Sequence, residues 1–194
     1  MRILALSPHT DDYEFACGGS ISKWIREGAE VYGVSFSCGT ANKSEFIEAN
    51  TELGLKHFEC LDFTTRKFKE QRQEILERLV AYEREVSPDL ILLPASTDTH
   101  QDHEVIREEG FRAFKRHSIL GYEMPQNNLV FTAGCFVKLQ PMDVDKKIAS
   151  LKWYLSQKNR PYATEEFIRS LSLVRGMQAG TNYAEAFEVV RWII

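Results

Sequence analysis

Short apolar runs alternate with stretches of helical periodicity along the first part of this chain, and that alternation leaves few folds open. Ile3–Leu6, Val31–Phe36, His57–Leu61 and Asp89–Pro94 read as strands, the last being the clearest buried one. Ile21–Glu27, Glu45–Leu53, Phe68–Val86 and Asp102–Lys115 read as the helices that follow them. Ser20 fits an N-cap, Gly28 and Gly54 fit helix stops, and Ser87-Pro88 ends the longest helix. Four successive strand–helix units predict a mostly parallel sheet with right-handed crossovers, a Rossmann-like three-layer α/β/α fold.

The C-terminal third changes character. Short strands are expected at Ser118–Tyr122, Leu129–Thr132 and Cys135–Leu139, helices at Asp143–Ser156 and Glu165–Gln178, and a closing strand at Phe187–Ile194. Trp153, Tyr154 and Trp192 are expected in the core. No linker, repeat or low-complexity segment interrupts the 194 residues, so the sequence predicts a single domain over 1–194.

Bulk properties exclude some function classes. A net charge of −4 argues against nucleic acid as a partner, because phosphate contacts need a clustered basic surface. No apolar run approaches the roughly 20 residues of a membrane span. Met1-Arg2-Ile3 enters a strand rather than a leader peptide. Cys17, Cys38, Cys60 and Cys135 lack metal-site spacing and lie in or beside apolar runs, which predicts four reduced thiols and a cytoplasmic protein.

The chemistry is concentrated in two clusters. Ser7-Pro8-His9-Thr10-Asp11-Asp12 follows the first strand and leads to Gly18-Gly19; Asp98-Thr99-His100-Gln101-Asp102-His103 follows the fourth. A catalytic zinc ion takes three nitrogen or carboxylate ligands and keeps a position for water, whose pKa falls to about 7. His9 and Asp12 are close enough in a turn to share one ion, and His103 completes the set only if its loop meets theirs. In a doubly wound sheet the order reverses beside strand 1, with strand 4 as its neighbour on that side, so both clusters would open at one crevice. Gly18-Gly19 is better suited to tight helix packing than to cradling phosphate. His57 and His117 read as ordinary surface or strand-end residues.

His9-Thr10-Asp11-Asp12 with a downstream Gly-Gly, and His100-x-x-His103 after an apolar strand, resemble the signatures of the LmbE-like (PIG-L) zinc-dependent de-N-acetylase family. The ending Arg175-Gly176-x-x-x-Gly180-x-x-Tyr183-Ala184-Glu185-Ala186-Phe187 is similar to that family's C-terminal segment. The resemblance implies that His9, Asp12 and His103 bind one zinc per chain and that Asp11 is the general base. It implies that His100 is a general acid or stabilises the oxyanion, and that Asp102 serves catalysis by orienting a histidine. The implied partner is a small N-acetylated amino sugar or its conjugate, including nucleotide- or lipid-linked intermediates of glycan synthesis.

The pattern departs from the family at two places. Thr10 stands where proline is usual, and its hydroxyl is expected to cap the turn. Lys43 stands where many members carry a substrate-contacting arginine, and a lysine loses the bidentate geometry. Arg66, Arg160 and Tyr183 are further candidates for substrate contact. Two rival readings stay open: a metal-dependent hydrolase of another amide or of a phosphoester, and a non-catalytic Rossmann-like binding module. An exposed aromatic edge would also allow a homo-oligomer.

Overall fold

The first strand, β1 (Arg2–His9), is apolar on both faces because both are covered. Ile3 and Ala5 enter one core cluster, Leu4 and Leu6 the other. The computed structural model describes residues 1–38 and 43–193. Beside β1 run β2 (Glu30–Ser37), β3 (His57–Cys60), β4 (Leu90–Pro94) and β5 (Ser118–Tyr122), all parallel. β6 (Cys135–Leu139) and β7 (Tyr183–Arg191) finish the sheet, in the order β3-β2-β1-β4-β5-β7-β6, with β7 antiparallel to both its neighbours. The strand order reverses beside β1, as the alternation of strand and helix implies.

Helices α1 (Asp12–Arg26), α2 (Lys43–Leu53) and α5 (Pro141–Leu151) pack together on one side. α3 (Arg72–Val86) and α4 (Gln101–Ala113) pack together on the other, and α6 (Glu165–Ala179) lies against β6, β7 and α5. Ile75, Leu79, Tyr82 and Val86, spaced along one face of α3, are all buried. Gly28 and Gly54 close their helices at φ +89° and +97°, conformations that cost a side-chain-bearing residue about 1–2 kcal/mol.

Several expectations need correction. α1 begins at Asp12 rather than near Ile21, so Ser20 lies inside a helix instead of capping one. Its first turns escape periodicity because Asp12 and Glu14 are polar yet buried. α3 begins at Arg72, and Phe68 is buried in the turn before it. Leu129–Thr132 forms no strand; it has no partner, since β7 takes the place beside β5, and Leu129 is 92% exposed. α5 ends at Leu151, after which Tyr154 turns into the core and Trp153 does not. Trp192 lies past the end of β7 and is also exposed.

The expectation of four free thiols fails as well. Cys38 and Cys60 form a disulfide, with Cα atoms 6.3 Å apart, because β2 and β3 run side by side and end together. Cys17 and Cys135 are free.

Inside α1 the backbone leaves helical geometry at Cys17 (φ −139°, ψ 25°). A buried ion pair bridges the break. Glu185 of β7 accepts hydrogen bonds from the backbone N–H groups of Gly19 (3.1 Å) and Ser20 (2.6 Å), and so caps the second half of the helix. Lys147 of α5 donates to Glu185 (2.7 Å) and to the Ala16 carbonyl (3.3 Å), which closes the first half. A Cβ on Gly18 would sit 3.1 Å from Lys147 Cγ, and one on Gly19 only 2.7 Å from Leu139 Cδ1. Gly18-Gly19 is therefore a packing device. Removing one partner of a pair this buried costs about 3–5 kcal/mol. No helix among the described residues is long and apolar enough to cross a membrane.

Candidate metal centre and active-site cleft

β1 and β4 are parallel neighbours, with Ala5 beside Leu92, so their C-terminal ends open together where the strand order reverses. His9 is the last residue of β1; Asp11 and Asp12 begin α1. The loop after β4 delivers Asp98 and His100, and α4 carries Asp102 and His103 in its first turn. Segments about 90 residues apart meet: His9 Nε2 lies 3.1 Å from Asp102 Oδ2 across 93 residues.

Asp12 is the hinge of the arrangement. Its Oδ2 accepts the His9 backbone N–H at 2.7 Å and lies 3.3 Å from both His9 Nδ1 and His103 Nε2. Each imidazole has a second carboxylate behind it. His9 Nε2 meets Asp102, and His103 Nδ1 meets Asp98 Oδ2 at 2.7 Å. Asp98 in turn accepts from the His100 backbone N–H (2.9 Å) and from Asn127 Nδ2 (3.2 Å). This backing of a histidine by an outer carboxylate is the usual way of fixing its tautomer at a metal. Donor atoms of His9, His100 and His103 all lie within 4.8 Å of one another. Asp12 Oδ2, 3.3 Å from both His9 Nδ1 and His103 Nε2, adds a carboxylate, and imidazole nitrogens with one carboxylate fit a zinc-type ion.

His100 differs from the other two histidines. It is the N-cap of α4, and its Nδ1 accepts the Asp102 backbone N–H at 3.2 Å. That bond requires a lone pair on Nδ1, so the neutral ring carries its proton on Nε2 and is a donor there. Asp11 occupies the N-cap position of α1 without capping it: its side chain makes no cap hydrogen bond, and the carboxylate is left facing the cleft.

The charges follow from this geometry. Burial opposes a charged imidazole at His9, but hydrogen bonds to Asp102 and Asp12 outweigh it and raise the pKa to about 9. His103 behaves likewise, opposed by burial and raised to about 10 by Asp12 and Asp98. Burial pushes Asp12 up, yet His103 and His9 hold it far below the ordinary carboxylate range. Asp11 is raised to about 7, first by burial and then by the charge of Asp12. Burial, then the neighbouring His103 and His9, lowers His100. Burial raises Asp102, but the bonds from His9 and the Arg66 backbone N–H bring it below its normal value.

Above these residues opens a cleft of about 250 Å³. Phe15 and Tyr162 form an aromatic wall with ring centroids 5.4 Å apart, and Thr65, Gln126, Asn127 and Gln157 supply polar groups. Arg66 and Arg160 line it too. The structure does not bring Lys43 or Tyr183 there. Lys43 is exposed at the start of α2, and the residues just before it, 39–42, lie outside the described ones. Tyr183 pairs with Leu139 at the start of β7 and packs against the core. Thr10 Oγ1 is buried without a hydrogen-bond partner, so the threonine does not cap its turn. Asp98 falls within the second cluster, and the sequence pattern assigns it no role. The signal was a second carboxylate within reach of the histidines.

The family described as PIG-L, GlcNAc-PI de-N-acetylase, matches residues 4–114, the stretch that holds both clusters. The chain belongs to the PIG-L family. Among its relatives is the protein named uncharacterized deacetylase YaiS of Escherichia coli K12, 26% identical over 167 residues, covering 79% of this chain and 90% of that protein. Another is the diacetylchitobiose deacetylase of Thermococcus kodakarensis, 22% identical over 224 residues, covering 97% and 83%. Among solved structures, GalB, the 4-carboxy-2-hydroxymuconate hydratase of Pseudomonas putida, has the same fold. The TM-score is 0.83 at 19% identity, covering 100% of this chain and 97% of that one. One fold thus carries a hydratase as well as deacetylases, and the reaction must be argued from the site.

Proposed function

We propose that this chain is a zinc-dependent hydrolase that removes the acetyl group from an N-acetylated amino sugar or its conjugate. The observation that carries the reading is the convergence of His9, Asp12 and His103 on one point, with Asp11 and His100 beside it. The relatives' names and the family's description agree with amide cleavage. We read residues 1–194 as one catalytic domain, because β7 is inserted between β5 and β6 in a single sheet.

His9 Nδ1, Asp12 Oδ2 and His103 Nε2 would hold one zinc ion per chain, with Asp102 and Asp98 fixing the two rings. When bound, the ion supplies Lewis acidity toward the amide carbonyl and toward water. Asp11 takes a proton from the attacking water as its oxygen bonds to the acetyl carbon, and a pKa raised to about 7 suits that task near neutrality. The His100 Nε2–H donates to the oxyanion that forms. The carbon–nitrogen bond then breaks, the proton taken by Asp11 passes to the leaving nitrogen, and acetate and a free amine result. His100 is unsuited to ligation while Nε2 carries its proton, which favours Asp12 over His100 as the third ligand.

The test is acetate release by zinc-loaded protein over N-acetylated monosaccharides and nucleotide sugars, with metal stoichiometry alongside. One ion per chain and turnover are expected. Asp11→Ala should keep the ion and lose turnover; full activity in that variant overturns the mechanism, and two ions per chain would favour phosphoester chemistry instead.

A further inference from the structure

A turn in the segment after β3 reaches the metal centre through its main chain. The Lys67 N–H donates to the Thr64 carbonyl at 3.0 Å, which closes a turn with Thr65 and Arg66 at its centre. Arg66 has φ +68°, in the left-handed region that suits glycine and, less well, asparagine. A positive φ at the third residue marks a type II turn, whereas a type I turn has about −90° there. The two types differ chiefly in the peptide between the central residues, which is turned over from one to the other. Here that peptide carries the Arg66 N–H and the Thr65 carbonyl.

The orientation of that peptide decides what Asp102 meets. The Arg66 N–H donates to Asp102 Oδ2 at 2.7 Å, and the same oxygen lies 3.1 Å from His9 Nε2. Asp102 Oδ1 is buried without a partner, so this N–H and His9 are the two partners of the carboxylate among the described residues. Turned over, the peptide would present the Thr65 carbonyl oxygen instead, an acceptor against an acceptor. Gln101 Nε2 donates to the Arg66 carbonyl at 3.1 Å, and Thr65 Oγ1 lies 2.7 Å from Ser37 Oγ, so the turn is tied to α4 and to the end of β2. The side chain takes no part in this. Arg66 is exposed, and its guanidinium has no hydrogen-bond or ion-pair partner among the described residues. A glycine would make the same backbone bonds without strain.

We infer that the main chain at position 66 is a positioning group for the metal centre: the left-handed turn presents a donor to Asp102, and Asp102 held in this way orients the His9 ring. His9 Nδ1, on the other side of that ring, is the nitrogen that lies 3.3 Å from Asp12 Oδ2. The inference rests on the metal centre proposed above. It makes the conformation of residue 66, and not its charge, the property that the site uses.

The test is the zinc affinity of metal-free protein, measured by competition with a chromophoric chelator, in four variants that all remove the charge: Arg66→Gly, Arg66→Asn, Arg66→Ala and Arg66→Val. Affinity should follow tolerance of a left-handed φ. Arg66→Gly and Arg66→Asn should bind zinc at least as tightly as the unaltered protein, and Arg66→Ala less tightly than either. Arg66→Val, with its branched side chain, should lose about 10-fold, the lower end of what disturbing the carboxylate behind a metal-binding histidine costs. In an Asp102→Ala background the loss caused by Arg66→Val should vanish, because the group it acts through is gone. A turn that merely supports the fold would weaken both backgrounds alike, and that result overturns the inference. Equal affinity across the series, or an equal loss in all four variants, overturns it too. Should Arg66→Val fail to fold, the order of Arg66→Gly and Arg66→Asn above Arg66→Ala decides the matter. Acetate release is read separately on N-acetylglucosamine. No turnover with the zinc ranking intact counts against the de-N-acetylase reading and leaves the positioning group standing, whereas no zinc binding at all overturns both.

Discussion

The two strand ends that meet at the cleft are fastened in opposite ways. The junction of β1 and α1 is anchored from beneath. The Tyr154 hydroxyl lies within hydrogen-bond reach of the Thr10 carbonyl and of Glu14 Oε1, Asn50 donates to Glu14, and Tyr13 donates to Asn50, all of them buried. The junction of β4 and α4 is anchored from the side, by surface loops. Thr99 donates to the Asn127 carbonyl and Gln101 to the Arg66 carbonyl, both exposed. The buried junction holds the groups that bear negative charge, Asp11 and Asp12. The looser one holds the donor His100 and the carboxylates that steer the rings. The first junction thus fixes Asp11 and Asp12 from the core, while the second holds the buried His103 through Asp98 and ties His100 to surface segments.

Substitutions at the looser junction should separate its two duties. His100→Gln is expected to retain metal and lose about 10²- to 10³-fold in kcat, the scale of a lost oxyanion donor. Asp98→Asn should instead weaken metal binding by about 10- to 100-fold through a poorly oriented His103. Parallel kcat and metal titrations on both variants check this, and identical behaviour would erase the division of labour.

A smaller effect appears in the pH dependence of metal binding. Metal-free His9 and His103, raised to about 9 and about 10, are protonated at pH 7, so an incoming divalent cation must displace both protons. Affinity should rise with pH until these values are passed, and calorimetry in buffers of different ionisation enthalpy should register the release at pH 7. The same protons stabilise the metal-free fold. Both values lie above that of an unfolded histidine, near 6.5, so the contribution is complete below that pH. It is lost as pH rises through about 9 to 10. Thermal melts of metal-free protein should fall over that window, and melts of loaded protein should not.

The smallest effect probes the buried junction. Thr10→Val removes a hydroxyl that is buried without a partner, and should raise stability by about 1 kcal/mol as read from the denaturant midpoint. A loss of stability would mean that the hydroxyl is satisfied after all.

What the sequence made legible follows from locality. His9, Asp12 and His103 stand out because they belong to polar clusters that come after apolar runs, and the alternation of strand and helix says that β1 and β4 are neighbours. Asp98 falls in the same pattern, but its role depends on which imidazole nitrogen faces it. The strain at Arg66 is a backbone angle with no residue signature, since any glycine-like position can be filled at a cost. Cys38 and Cys60 meet only because β2 and β3 pair. Leu129–Thr132 and Trp192 have the composition of buried segments and are exposed, because burial depends on which strand takes the neighbouring place.

Glu185 gives the molecule a schedule. Ser20, whose N–H it caps, is made 165 residues earlier. At about 5–20 residues per second, the helix carrying Asp12 therefore spends on the order of ten seconds or more outside the ribosome before its brace exists. β7 must then insert between β5 and β6 rather than add to a free edge. The brace of the cleft thus arrives long after His9, which stands far upstream of Glu185 in the sequence, has been made.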